Sequence, residues 1–127
     1  MRWMGTEFVT VKGKKYYVKN GRLDLYSKEI TDITEIEGLE TLTNLQKLDL
    51  RYNEIKEIKG LLTLTNLQVL DLRDNYLWGG IKGLENLTNL QKINLNGNPI
   101  RADETHLIGT NAQEIVKYCQ DKKDHKR

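Results

Sequence analysis

Few residues in this chain have the chemistry of a catalyst. Its histidines are His106 and His125, and its one cysteine, Cys119, falls on the apolar side of a segment with helical spacing. A thiol placed there is buried and inert rather than nucleophilic. One cysteine and two histidines supply no zinc-ligand spacing. Gly13-Lys14 lacks the upstream glycine of a phosphate-binding loop, because Phe8 holds that place. Gly79-Gly80-Ile81-Lys82-Gly83 has the small residues of a phosphate cradle, but Lys82-Gly83 copies Lys59-Gly60 and so belongs to a repeated framework. No catalytic group, metal or cofactor is therefore expected. The chemistry that does recur is that of tyrosine, arginine and aspartate. Set in register, these residues form three columns: Asp24, Asp49, Asp71, Asn94; then Tyr26, Arg51, Arg73, Asn96; then Ser27, Tyr52, Asp74, Gly97. Two readings of the columns stay open. In one, Arg51 and Arg73 neutralise the stacked aspartates in a soluble charge ladder. Alternatively, the same side chains present a recognition surface, since tyrosine and arginine are enriched where binding energy concentrates.

The elements that must hold these columns are written in the leucines. All 19 lie between Leu23 and Leu107. Leu45-Gln-Lys-Leu48-Asp-Leu50-Arg-Tyr-Asn53-Glu-Ile55 recurs at Leu67–Leu77 and again at Leu90–Ile100, with offsets of 22 and 23 residues. A degenerate copy precedes them from Leu23 to Ile30. In Leu48-Asp49-Leu50 the period of two sends both leucines to one face of a short strand and Asp49 to the other. Asn53 follows where the chain must turn, and its amide can pair backbone groups left over by the turn. Ile55, Ile58, Leu61 and Leu64 then return at spacings of three, which fits a tight 3₁₀-like leg. One unit cannot bury its leucines alone; stacked units can, with their strands in a parallel sheet.

By these residues the chain resembles the leucine-rich-repeat family, whose pattern L-x-x-L-x-L-x-x-N-x-L it carries in three successive copies. The short period, the Ile-x-x-Ile/Leu leg and the Leu-Thr-Asn-Leu signature are similar to the 22-residue class, which includes a regulatory subunit of protein phosphatase 1 and the bacterial internalins. The resemblance implies an arc-shaped α/β solenoid with a short concave parallel sheet on which a protein partner binds. Gly109-Thr110-Asn-Ala112-Gln-Glu-Ile115-Val116-Lys-Tyr118 also resembles the helix that follows leucine-rich repeats in Roco and Ras-group proteins. No GTPase domain accompanies it here, so no nucleotide chemistry is carried over.

A stack of repeats needs both ends covered. Glu7–Val11 and Lys15–Val18 are β-prone runs, and Asn20-Gly21 is a strong two-residue turn leading to Arg22–Leu25. They predict a β-meander paired onto the first repeat strand. Its lysines Lys12, Lys14, Lys15 and Lys19, interleaved with Tyr16 and Tyr17, could grip a single nucleic-acid strand. Protection of a sheet edge is the reading preferred. Pro99 marks the exit from the repeats, Asp103–Leu107 allows one helical turn, and Thr110 or Asn111 can cap a helix that buries Ala112, Ile115, Val116 and Cys119. Trp78 stands where a repeat lengthens by one residue; it is expected to be partly buried, with a loop contact as the alternative.

Length and charge narrow the rest. The 127 residues carry a net charge of +2, with 38% hydrophobic and 30% charged residues, which suits one globular domain. The charge runs from basic over residues 1–28 to acidic over 29–60. No stretch reaches the roughly 18 apolar residues of a membrane span, and Met1–Lys15 has no signal-like apolar core. A lone cysteine suits a reducing compartment. The expected domain thus spans 1–127: a β cap to residue 22, repeats over 23–100, a helical cap over 101–120 and a polar tail over 121–127. The expected function is non-catalytic protein binding by a monomeric cytoplasmic or nuclear adaptor or regulatory subunit. An accessory module of a GTPase system is the alternative, and nucleic-acid binding the third. The expected site is Tyr26, Asp49, Arg51, Tyr52, Asp71, Arg73, Asp74, Asn94 and Asn96, with Trp78 as a separate contact.

Overall fold

The computed structural model describes residues 7–124. Two strands, β1 (Phe8–Val11) and β2 (Lys14–Tyr17), form an antiparallel hairpin. Four more, β3 (Arg22–Asp24), β4 (Lys47–Asp49), β5 (Val69–Asp71) and β6 (Lys92–Asn94), form one parallel sheet in chain order. Register follows the repeat, with Leu23, Leu48, Leu70 and Ile93 side by side, and Asp24, Asp49, Asp71 and Asn94 next to them. The helix α1 (Ala112–Asp124) closes the described chain. It runs past residue 120, so four residues of the expected tail are helical; His125 and the last two residues lie outside the described residues, as do residues 1–6 of the expected N-terminal segment.

Of the 19 leucines, 18 are buried in a single cluster and Leu62 is the exception, at 40% exposure. The return legs close through bonds three residues apart, such as Leu64 N–H to Leu61 O and Leu87 N–H to Leu84 O, both 3.0 Å. The first leg tightens into 3₁₀ turns over Ile33–Glu35 and Leu39–Thr41. Asp32 starts the former by accepting from Thr34 N–H at 2.9 Å, while Glu35 reaches back to Asp32 N–H at 3.1 Å. That reciprocal pair satisfies two donors the turn would otherwise waste.

Between strand and leg sits an asparagine ladder. Asn53 accepts from Lys28 and Ile30 N–H and donates to the carbonyls of Leu25 and Leu50, all within 3.0 Å. Asn75 repeats the arrangement on Ile55, Leu50 and Leu72, and Asn98 on Leu77, Leu72 and Leu95. One amide has both a donor and an acceptor end, and so can bond two adjacent repeats at once.

The hairpin departs from the expected meander. It meets β3 only through the Asn20-Gly21 turn, where Lys19 and Arg22 exchange two bonds of 2.9 Å. Its main attachment is Thr10, which exchanges bonds of 3.0 and 2.9 Å with Glu37 of the first return leg. The reason lies in β1: Val9 and Val11 alternate to one side and are buried with the leucines. Lying across the leg places them there. At the other end, Asn111 Oδ1 accepts from Glu114 N–H at 2.9 Å, and α1 buries Ala112, Ile115, Val116 and Cys119.

Candidate functional site

The concave face is built from side chains that leave the sheet opposite the leucines. Each residue of the first column bonds the backbone two residues on: Asp24 to Tyr26 N–H (3.0 Å), Asp49 to Arg51 (3.1 Å), Asp71 to Arg73 (3.2 Å) and Asn94 to Asn96 (3.0 Å). These short turns fix where the second column points. The guanidinium of Arg51 then folds onto Asp49, with Nε at 2.9 Å and Nη2 at 2.8 Å, and Arg73 folds onto Asp71 at 3.0 and 2.9 Å. Arg51 Nε also lies 3.8 Å from Asp71, which links the two pairs.

Asp49 corrects the expectation that it is presented to a partner. It is 2% exposed, held beneath Arg51 and beneath Arg22, whose Nη2 sits 2.8 Å from it. Burial pushes its carboxyl up, but the Arg51 hydrogen bonds and the charges of Arg51 and Arg22 outweigh this and hold it below the usual carboxylate range. Arg22 was not among the expected site residues, because its pairing with Asp49 crosses strands 27 residues apart in sequence.

Above this charged floor the aromatic groups gather at the N-terminal half. Tyr26 and Tyr52 meet edge-on with ring centres 5.5 Å apart, and the Arg51 guanidinium lies 5.0 Å over Tyr26. Both tyrosines are exposed, Tyr52 by 53%. Tyr52 adopts φ 56°, as do Ser27 (55°) and Asp74 (58°) at the equivalent turn, where the last repeat has Gly97 (76°). The whole third column is therefore left-handed. Asp74 is half-buried and its Oδ1 would stand 2.3 Å from a Cβ on Gly97, so a side chain there would displace the Asp74 carboxylate. Asn94 is half-buried and Asn96 exposed at the C-terminal end of the face.

Trp78 is elsewhere, and it is 60% exposed rather than partly buried. Leu77 takes the inward position, at 2% exposure, and the tight turn from Trp78 N–H to Tyr76 O (2.8 Å) throws the indole outward. Gly79 then follows close to the preceding repeat, its N–H 3.4 Å from the Lys56 carbonyl. The indole instead lines a groove of about 310 Å³ with Thr31, Asp32, Lys56, Glu57 and Lys59.

A second charged cluster lies between the lengthened repeat and α1, and the sequence carries no pattern for it. Glu104 is buried and accepts from Ile81 N–H (2.9 Å), Tyr118 Oη (2.5 Å) and Lys122 Nζ (3.2 Å). Burial raises its carboxyl, but these bonds prevail and leave it below its ordinary value of 4.5; Tyr118 is pushed up to about 12, by burial and then by Glu104. A carboxylate depressed on folding contributes stability that is present above about pH 4.5 and is lost as pH falls through its folded value. Glu104→Gln is therefore expected to lower stability by about 2 kcal/mol at pH 7 and to flatten the acid limb of the profile. Denaturant midpoints from pH 7 to pH 3 check this, and parallel acid limbs for variant and parent would refute it. Cys119, whose thiol burial pushes up to about 11, is no nucleophile at neutral pH.

Among the described residues no group of three or more His, Cys, Asp or Glu is placed to hold a metal ion, and no helix is long and apolar enough to cross a membrane. Parallel strands stacked one per repeat, with an asparagine ladder at their ends, define an α/β repeat solenoid. The chain belongs to the leucine-rich-repeat family: the model described as Leucine Rich repeats (2 copies) matches residues 43–79 and 65–108, together just over half of the sequence. No curated protein matches the chain. Leucine-rich-repeat domains generally mediate protein–protein interaction, and the family is typically non-catalytic.

Proposed function

We propose that this protein is a non-catalytic recognition module of the short-repeat class that binds a protein partner through its concave face, centred on Tyr26, Arg51, Tyr52, Asp71 and Arg73. The observation that carries the reading is the preordering of that surface. The two guanidiniums are held by the hydrogen bonds described above, and the two tyrosine rings by their edge-on contact and by Arg51 over Tyr26, so fixing them on binding costs little side-chain entropy. Tyr52 adds a second argument. A tyrosine in the left-handed region costs about 1–2 kcal/mol, and a non-glycine residue retained at such a cost points to use of its side chain. The hairpin and α1 serve as end caps in this reading, and the module acts as a monomeric intracellular adaptor or regulatory subunit, in cytoplasm or nucleus.

The test is affinity capture from the source cells with the parent and three variants, at low and high salt. Arg51→Ala with Arg73→Ala should release the captured partner, and salt should weaken the parent complex. Tyr52→Gly should also weaken capture while leaving stability within about 1 kcal/mol of the parent, because relief of the left-handed turn offsets glycine's chain entropy. The exposed indole supports a second reading, in which the Trp78 groove is the contact. Unchanged capture by both variants together with loss in Trp78→Ala would select that reading and reject the first.

A further inference from the structure

The parallel sheet stops at β6 with its pairing groups open. Along the stack each strand donates twice to the next. Leu25, Leu50 and Leu72 N–H reach Asp49, Asp71 and Asn94 O at 2.9 Å, and Ser27, Tyr52 and Asp74 N–H reach Arg51, Arg73 and Asn96 O at 3.0 Å. The counterparts at the last strand are the N–H groups of Leu95 and Gly97, and among the described residues neither has a hydrogen-bond partner. Gln46 O and Gln68 O each accept from the following strand, and their counterpart, Gln91 O, is likewise open. Alternate residues of a parallel ladder serve opposite neighbours, so the peptide groups of Ile93 also face away from β5.

One groove follows this edge: about 170 Å³, it separates Leu95 from Ile108, Gly109 and Ile115. A second, of about 350 Å³, opens beside it across the sheet, between Val69, Asp71 and Arg73 on one side and Lys92, Thr110 and Asn111 on the other. Both are lined by Ile93 and Asn94. Ile93 is half-buried where its neighbours in register, Leu48 and Leu70, are buried, and Ile108 is exposed. The helix does not take the place of a strand: Gln113 Nε2 ties it to Leu90 O at 2.7 Å, before β6 begins.

We infer that the outer edge of β6 is a docking site for an extended peptide segment, acidic-apolar-x-apolar in sequence, that adds as a fifth strand. The backbone row demands an extended chain, since only a strand offers donors and acceptors at the same two-residue spacing. Continuing the register sets the apolar residues beside Ile93 and Leu95. The residue between them lies beside neutral Asn94, where no charge is required. The residue before them lies beside Lys92, which has no ion pair among the described residues, and a carboxylate complements it. Such an exposed edge is a ready template for pairing. The site is separate from the Tyr26–Tyr52 region, and the inference does not depend on the concave-face reading.

The probe is a fluorescent peptide, Leu-Gln-Glu-Leu-Asp-Leu-Arg-Asp-Asn, which is the β5 sequence with Glu in the place of Val69. Saturable binding by anisotropy is expected, with amide shifts at Leu95 and Gly97 in NMR spectra of the full chain. N-methylation at Glu and at the Asp that follows the next Leu should abolish binding, because those N–H groups face β6; N-methylation at the two leucines flanking that Asp should not. Lys in place of Glu, and Ile108→Glu in the protein, should each weaken binding by about tenfold or more, whereas Tyr26→Ala should leave it unchanged. The inference fails if no saturable binding occurs, if Ile108→Glu has no effect, or if methylation of either set is equivalent. It also fails if the same amides shift with protein concentration alone, which would make a second copy of this chain the occupant.

Discussion

Asn53→Ala is expected to destabilise the protein by about 3–6 kcal/mol, because each buried backbone group it strands costs about 1–3 kcal/mol. Three groups lose their partner: Lys28 N–H, Ile30 N–H and Leu25 O. The other two are spared: Leu50 O keeps Asn75 Nδ2 at 2.9 Å, and Arg51 O keeps Ser27 N–H at 3.0 Å. The cost is structural rather than apolar, since alanine removes almost no hydrophobic surface. Asn53→Asp sharpens the point. It keeps the shape and the two accepted bonds but loses the donor, and it turns a carboxylate oxygen toward the carbonyls of Leu25 and Leu50. It should be at least as damaging as alanine. Asn66 is the control: its Nδ2 donates to Thr43 O at 2.9 Å in an exposed position, where water replaces the bond, so Asn66→Ala should cost less than about 1 kcal/mol. Urea unfolding of the four proteins measures all of this. An Asn53→Asp midpoint equal to the parent's would show that the amide donor of the ladder does not hold adjacent repeats together.

How far these features were legible depends on the range of the interaction that sets them. Leu48 and Leu50 are read by their own spacing, and the repeat of that spacing at Leu70 and Leu72 gives the register of the sheet. Asn53 is legible for the same reason: its main partners are its own turn and the equivalent turn one repeat back, so a local pattern already contains the contact. Asp49 fails this test. Period two sends it to the concave face, and it is there, but its burial comes from Arg22 on another strand, and no repeat of the motif carries an equivalent arginine at every rung; Val69 stands opposite Lys92. A general argument about exposed aromatics misplaces Trp78, because the inward Leu77 and the tight turn from Trp78 N–H to Tyr76 O decide where the indole goes. The hairpin's attachment to Glu37 answers to the two valines of β1, a requirement visible in their alternation but not in which neighbour would satisfy it. Glu104 lay outside reach, because its three partners come from a loop and a helix that meet only in the folded chain.

Gly83→Ala is expected to cost about 4 kcal/mol or more, a size that arises only from a few causes, backbone strain and core overpacking among them. The equivalent glycines make the comparison a matched one. Gly38, Gly60 and Gly83 each end the Ile-x-Gly segment that turns into a return leg, and each is left-handed, at φ 94°, 78° and 79°. Any of them changed to alanine meets the penalty of about 1–2 kcal/mol for an L residue in that region. The surroundings then separate them. A Cβ on Gly60 would rest at 3.5 Å from Thr34 Cγ2, and one on Gly38 at 3.6 Å from Phe8 O, both ordinary contacts. On Gly83 it would stand 2.4 Å from the carbonyl oxygen of Ile58. That oxygen is backbone and cannot rotate aside; the leg of one repeat must lift from the leg beneath it, opening the core around Ile58 and Ile81, both nearly inaccessible. The third leg follows the lengthened loop at Tyr76–Gly80, where the repeat offset rises from 22 to 23 residues, and the closer approach occurs there. Gly38→Ala and Gly60→Ala should therefore lower the denaturant midpoint modestly and alike, while Gly83→Ala should lower it far more or prevent folding. Equal midpoints for Gly60→Ala and Gly83→Ala would mean that the legs on either side of the long loop are spaced alike, contrary to the geometry described.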